Sequence, residues 1–427
     1  MAEDEPTSVT QARQGVRQWL ADAWDTRITV GDWWARLADS GWGYPDWPEQ
    51  WFGKGLGYAE SVAVREELGA AGVIGPPGGV GPQMAANVLF NHGTPEQRER
   101  WLPVLAKGEE SWCQFFSEPN AGSDLASVQT RAVRDGDQWT VNGQKVWNSG
   151  TLHADRGLLV ARTDPDKPKH RGISYFIVDV DQPGIDIRPI RQMNGRTEFN
   201  ETFFTDAVVP DDARIGEVDG GWRVAMTTLT SERSNFAGGG EHTVRSVLAG
   251  RKAGYLDRVV QDVLAEEAEE WDGANTPPIH TPEDLIELAR ELGRAKDPVV
   301  RQRIAQVYAA AEAMRFTGLR AHAAAASGKS AGRESSIVYL GGVKVIRLYR
   351  DVSAEIAGPA ATLVGPDAPR AGAVAMTVMT APCHGIQGGS EQIQRNIIGE
   401  GILGLPKEPQ VDKDIPFRDT KTGTPRM

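Results

Sequence analysis

Cys113 and Cys383 are the only thiols in 427 residues. They allow at most one disulfide, so no disulfide framework braces the chain, and the scarcity points to a reducing compartment. No run of ~20 apolar residues is long enough to cross a bilayer. The opening Met1-Ala-Glu-Asp-Glu is acidic where a secretion signal would be basic. A cytoplasmic location without a membrane partner is therefore expected. Basic residues are in the minority, 46 Lys and Arg against 58 Asp and Glu, and the net charge of −12 argues against nucleic acid as a partner. Other signals are missing too. No Gly-x-Gly-x-x-Gly opens a helix after a strand, no Walker lysine loop appears, and no Cys/His cluster has zinc spacing. No Gly-x-Ser-x-Gly elbow presents a serine. Rossmann dinucleotide binding, P-loop phosphoryl transfer, zinc sites and α/β-hydrolase chemistry thus lose their usual sequence support.

What is present organises itself by period. An apolar share of 40% suffices for the cores of two or three domains. Residues 1–111 read as helical. Thr94-Pro-Glu-Gln97 combines an N-cap, a first-turn Pro and a Gln able to close a capping box; Trp101, Val104 and Leu105 follow at helical spacing, and Gly108 stands where the helix must stop. From 112 to 218 the period shortens. Val128–Val133, Gln138–Val141, Leu158–Val160, Ile173–Val178 and Ile185–Ile187 are strand-like, punctuated by Asp135-Gly136, Asn142-Gly143 and Asp164-Pro165. That pattern predicts an antiparallel sheet or barrel. After Gly221 helices return. Thr281-Pro-Glu-Asp starts one that carries Leu285, Leu288, Ala289 and Leu292, and Ile304, Val307, Tyr308, Ala311, Met314 and Leu319 are expected to share one helical face.

Two segments carry the chemistry. Trp112-Cys-Gln-Phe-Phe-Ser-Glu-Pro-Asn-Ala-Gly-Ser-Asp124 is an apolar strand opening into a loop of small residues, which lets backbone N–H groups approach a flat or anionic ligand. Val141-Asn-Gly-Gln-Lys-Val-Trp147 reads as a turn at Asn142-Gly143 delivering a planar Trp. Together with Gln387-Gly-Gly-Ser-Glu-Gln-Ile-Gln-Arg-Asn396, far along the chain, they resemble the flavin-binding signatures of the acyl-CoA dehydrogenase family. The resemblance implies an α+β multidomain chain. An N-terminal helical domain (1–111) would precede a central β-domain (112–218) and a C-terminal four-helix bundle (219–427).

It further implies FAD as cofactor and an acyl-CoA thioester as substrate, whose phosphates need only a local basic patch. By the same resemblance, Phe116, Ser117, Gly122 and Ser123 would line the flavin edge and pyrophosphate. Trp147, Asn148 and Ser149 would lie near the flavin ring, and Ser390 and Gln392 would reach the cofactor from the helical side. Read singly, each Ser is equally a turn or cap residue and Trp147 a core aromatic. The family chemistry needs a hydride acceptor at the β-carbon, the flavin, and a general base at the α-carbon. Medium-chain-like members carry that base in Tyr-Glu-Gly-Thr, where this chain has Gln387-Gly388-Gly389-Ser390. Thr230-Ser-Glu-Arg-Ser234, read as a helix start, resembles instead the isovaleryl and long-chain type. That makes Glu232 the expected base and Arg233, with Ser123, a substrate contact; the plainer reading of Glu232 is a charge complementing a helix N-terminus.

Two family stretches that grip the adenine end of a flavin bound by a neighbouring subunit are degraded, near Arg290-Glu-Leu-Gly293 and near Glu355-Ile-Ala-Gly-Pro-Ala-Ala361. An unmatched Pro/Gly/Ala segment, 359–374, follows. The pattern resembles the αβ acyl-CoA dehydrogenases of actinobacterial steroid side-chain breakdown, and implies a second, dehydrogenase-like subunit (α2β2), with electron-transferring flavoprotein or another acceptor taking the electrons. A homotetramer and a non-catalytic partner subunit stand as alternatives, as does a flavin oxidase or monooxygenase on the same fold.

Overall fold

The computed structural model describes residues 6–237, 244–269, 278–326, 334–407, 409 and 412–420. Five helices come first: α1 (Thr7–Ala23), α2 (Val30–Ser40), α3 (Tyr58–Ala70), α4 (Ala86–His92) and α5 (Pro95–Ala106). The predicted capping box opens α5: the Thr94 hydroxyl accepts from the Gln97 amide at 3.2 Å, and the Gln97 side chain accepts from the Thr94 amide at 3.0 Å. Gln97 also ties this helix to the β-domain, donating to the carbonyls of Asp212 (2.7 Å) and Arg214 (2.9 Å). Gly108 ends the helix at φ 66°, where a Cβ would lie 2.4 Å from the Trp34 ring, so only glycine fits. A π-helical turn, Gly81–Ala85, feeds α4.

The strands are β1 (Trp112–Phe115), β2 (Arg131–Asp135), β3 (Gln138–Ser149), β4 (Arg156–Arg162), β5 (Ile173–Asp179), β6 (Ile185–Ile190), β7 (Phe199–Pro210) and β8 (Arg214–Ile215). They form one sheet in the order β6-β7-β3-β2-β4-β5-β8, with β1 pairing β4. The sheet is mixed where the sequence pattern suggested an antiparallel one: β1 and β2 each run parallel to β4. It is open, with β6 and β8 at its ends. Asn142-Gly143 is no turn. It lies inside β3, where the register with β7 slips between Val141 and Gly143, a bulge that Gly143 accommodates at φ 154°. The Asn142 side chain closes it, exchanging hydrogen bonds with Asp206, both at 2.9 Å. Isolated Asn-Gly pairs read as turns because the local chemistry is the same; only the pairing with β7 separates the two.

The helices α6 (Gly221–Ala237), α7 (Val260–Glu269), α8 (Pro282–Glu291), α9 (Pro298–Ala326), α10 (Glu334–Ala357), α11 (Ala373–Thr380) and α12 (Glu391–Gly401) follow. In the helical C-terminal region α10 is central, packing on α6, α8, α9, α11 and α12. Val247, Ala249, Val260 and Val263 instead join the core of α1–α3. A capping box again starts α8, from Thr281 to Asp284, and Leu285, Leu288 and Ala289 are buried behind it, whereas Leu292 lies past the helix end and is exposed. The apolar residues of α9 do not share one face: Val307 is fully buried, but Tyr308 and Leu319 are half exposed.

Candidate active site

The loop after β1 is held from below by a buried ion pair. The Glu118 carboxylate accepts from the amides of Gln129 (2.7 Å) and Thr130 (2.9 Å) and from Lys145 Nζ (2.9 Å). Lys145, wholly buried, donates also to the Phe116 carbonyl at 2.9 Å. Burial pushes the Glu118 carboxyl up, but Lys145, the Gln129 amide and Thr130 outweigh it and hold its pKa below the ordinary carboxylate value. Sequence reading missed this pair, although Lys145 sits in the quoted motif; a lysine amid strand residues was the available signal. With the loop base so fixed, Phe116 is buried edge-on to Tyr175, and the Ser117 carbonyl takes the Val146 amide at 2.9 Å. Gly122 and Ser123 are exposed. Among the described residues neither of their amides has a backbone acceptor, and a Cβ on Gly122 would meet nothing within 4 Å.

Trp147 is presented by a second slip of β3 against β7, between Val146 and Asn148. Its backbone has φ 63°, a left-handed conformation unusual for a bulky residue, and its ring is 59% exposed, edge-on to Phe199. Strain spent on holding an aromatic out of the core is the pattern of a ligand-facing position. Asn148 is different. Its buried amide donates to the carbonyls of Gln114 (2.9 Å) and Val146 (3.4 Å) and accepts from Thr202 (3.1 Å), and its backbone carbonyl accepts from the Asn200 side chain at 3.0 Å, so the residue shapes the bulge. Ser149 is exposed at the strand end.

The helical side begins with α6, which packs on β5 and α10. Gly221 starts that helix directly on β5, where a Cβ would sit 2.4 Å from the Ser174 backbone. Glu232 therefore lies roughly three turns into a helix, not in the first turn of one starting at Thr230, and the helix-N-terminus reading of its charge falls away. Ser231 beside it receives a hydrogen bond from Asn87 of α4 at 3.2 Å. Tyr339 of α10 lies close enough to Glu232 to feel its charge. The Tyr339 hydroxyl donates to the carbonyls of His384 (2.8 Å) and Gln387. Burial first, then the negative charge of Glu232 and those of Cys383 and Glu391, push its pKa up to about 12. Tyr339 was not anticipated, and it links Glu232 to the segment ending in Gly388. Gly388 and Gly389 both have positive φ, 59° and 99°, turning the chain into α12. There Ser390 is the N-cap, its hydroxyl receiving the Ile393 amide at 3.4 Å and the Ser123 hydroxyl at 3.2 Å. Ser123 and Ser390, 267 positions apart, thus meet across the cleft. Gln392 is exposed on the first turn of α12, and Glu391 is taken by Arg347 and Arg395. The backbone of Arg233 is in α6; its side chain lies outside the described residues.

Three family models cover most of the chain: the acyl-CoA dehydrogenase N-terminal domain at residues 7–109, the middle domain at 113–207 and the C-terminal domain at 283–403. The acyl-CoA dehydrogenase IpdE1 of Mycobacterium tuberculosis is 37% identical over 88% of this chain and 88% of its own length. This chain belongs to the acyl-CoA dehydrogenase family. It is thereby placed among oxidoreductases, in a family of flavoproteins. The acyl-CoA dehydrogenase FadE34 of M. tuberculosis is 38% identical over 87% of this chain, which spans about half (46%) of that longer protein. Among solved structures, the Tcur3481-Tcur3483 steroid acyl-CoA dehydrogenase superposes with a TM-score of 0.69 at 26% identity, covering 96% of this chain and all of that one.

The residues so described suit a flavin: an exposed, left-handed Trp147, two loop amides without backbone acceptors, open space over Gly122 and the Ser123–Ser390 contact. Elsewhere in the helical region, the residues following Arg290–Gly293 and those at Glu355–Ile356 come together. Arg294 donates to the carbonyls of Glu355 (2.6 Å) and Ile356 (3.4 Å) and pairs with Asp297 at 2.9 Å, while Arg303 forks onto Glu355 with both bonds at 2.8 Å. A cavity of about 490 Å³ lies between them. Segment 359–374 is fastened onto α8 by Arg370, which pairs with Asp284, Glu287 and Glu291. Among the described residues, no helix is long and apolar enough to cross a membrane.

Proposed function

We propose that this chain is the base-bearing subunit of a heteromeric, FAD-dependent acyl-CoA dehydrogenase that converts a bulky or branched acyl-CoA, of the steroid side-chain class, to the trans-2-enoyl-CoA. The observation that supports the reading is the contact between Ser123 and Ser390, at the end of a segment that is bonded to Tyr339, whose hydroxyl feels the charge of Glu232. Glu232 takes the α-proton of the thioester. The chemistry FAD supplies when bound is acceptance of the β-hydrogen as hydride, with the electrons passing on to an electron-transferring flavoprotein or another acceptor. Phe116, Ser117, Gly122, Ser123, Trp147 and the backbone of Asn148 and Ser149 seat the ring side, and Ser390 and Gln392 reach it from α12. Ser123 and Arg233 orient the thioester and its coenzyme A portion. Gly388 supplies no side chain where other family members place the base, so Glu232 bears that role alone and the space stays open for a bulky acyl group.

The heteromeric reading is supported by the committed state of Arg294 and Arg303, whose guanidinium groups are already engaged within the chain. A neighbour's ADP end docking there would have to break those pairs. The likeness to the Tcur3481-Tcur3483 pair supports it as well. Glu232→Gln should retain FAD and lose turnover by on the order of 10²–10⁴-fold; a variant with the parent rate would move the base elsewhere. Expressed alone the chain should hold little FAD, and with a dehydrogenase-like partner about one FAD per unlike pair. A stable homotetramer with one FAD per chain would refute the heteromer and leave the dehydrogenase intact.

A further inference from the structure

Residues 412–420 fold back onto the β-domain beside the Ser123 loop. Pro416 bridges Pro168, the Phe417 amide donates to the Lys167 carbonyl at 2.9 Å, and the Arg418 amide to the Pro165 carbonyl at 3.0 Å. Two cations then connect this strap to the loop. Lys169, its side chain only 11% exposed, pairs with Asp412 of the strap at 2.8 Å and with Asp124 of the loop at 3.1 Å. Arg162 lies with its guanidinium 3.8 Å from the centroid of the buried Phe417 ring, and the same group donates to the carbonyls of Ala126 (2.6 Å) and Val128 (3.4 Å). The strap thereby grips both the end of the loop and the short turn that continues it. Lys169 and Arg162, both side chains of the β-domain, each contact the strap on one side and the segment 122–128 on the other.

We propose that Lys169, Asp412 and Phe417 are positioning residues of the reaction, holding the 122–128 segment so that Ser123 meets Ser390 across the cleft. The proposal rests on the reading that this loop seats flavin and thioester. With the strap loosened, the loop amides exchange faster and the ligand seat disperses, while Glu232, on α6, stays in place. The expected signature is therefore weaker binding with little change in the chemical step.

The test uses the full chain, with and without its co-expressed partner. In Lys169→Met and in Phe417→Ala, hydrogen–deuterium exchange of residues 118–127 should rise about tenfold without added ligand, as expected for loss of one partly buried link. FAD dissociation and KM should rise about three- to tenfold with kcat within about twofold, and Lys169→Arg should restore both. Unchanged exchange in both variants overturns the proposal. Ser123→Ala separates the two layers. If exchange responds in the strap variants but FAD retention and KM are unchanged in them and in Ser123→Ala, the loop is not the ligand seat, and the positioning role falls with that reading. If Ser123→Ala weakens FAD and the strap variants do not, the seat stands and the strap is a tether alone.

Discussion

The two walls of the cleft are built on different principles. The β-domain wall is held by short-range, saturated hydrogen bonding: Glu118 satisfied by Lys145 and two amides, Asn148 by three side-chain bonds, each within the sheet or the loop beside it. The helical wall has no such local frame. Glu232, Tyr339 and Ser390 come from three helices, and the Gln387 segment is fastened to α10 by the Tyr339 hydroxyl and by the Arg347–Glu391 pair. A planar cofactor is served by a rigid face. On the proposed reading, the base stands on a wall assembled from helix packing, which substitutions elsewhere in the bundle can retune.

The sharpest way to break this contrast is at the buried pair. Lys145→Met leaves the Glu118 carboxylate buried without its countercharge, and should cost about 3–5 kcal/mol of stability. Lys145→Met combined with Glu118→Gln should recover much of it. Thermal unfolding of both variants measures this, and a single variant as stable as the parent would mean the β wall is not held as described. Tyr339→Phe addresses the opposite wall. It orphans one or two carbonyls and should cost about 1–3 kcal/mol, with kcat/KM falling more than FAD retention, because the damage lies beside the base. Equal loss of both, or of neither, would erase the distinction between the walls. Trp147→Gly should give the smallest change in stability, under about 1 kcal/mol, since the ring is 59% exposed and glycine relieves the φ of 63°. A core tryptophan would cost about 3–5 kcal/mol. FAD retention should nevertheless drop, and a large loss of stability with unchanged FAD would make Trp147 a packing residue.

Much of the β wall was legible in the chain because its determinants are near one another: the small-residue loop at 119–124, the strand before it and Trp147 all lie within one stretch of sequence. The capping box at Thr94 and the helix start at Thr281 were legible for the same reason, since four consecutive residues hold the whole signal. Asn142-Gly143 misled because a bulge and a turn use the same residue types, and only the partner strand β7 decides which forms. Glu232 was found as a residue, but its helix was begun about three turns late, because the start depends on Gly221 approaching the Ser174 backbone and leaves no cap in the sequence. Tyr339, Lys169 and Phe417 could not be found at all: their partners are 45 or more positions away.

Composition and pattern by themselves determined the order of helical, β and helical regions and the absence of a side chain at position 388. Periodicity and turn chemistry act over a few residues, and those features need no more. The tertiary structure alone decided that the sheet is mixed and open, that Ser123 meets Ser390, that Tyr339 stands between Glu232 and the Gln387 segment, and that residues 412–420 return to the β-domain. Each of these is a contact between distant parts of the chain, selected by burial of the sheet against α4–α6 and by the packing around α10, and no local preference encodes it.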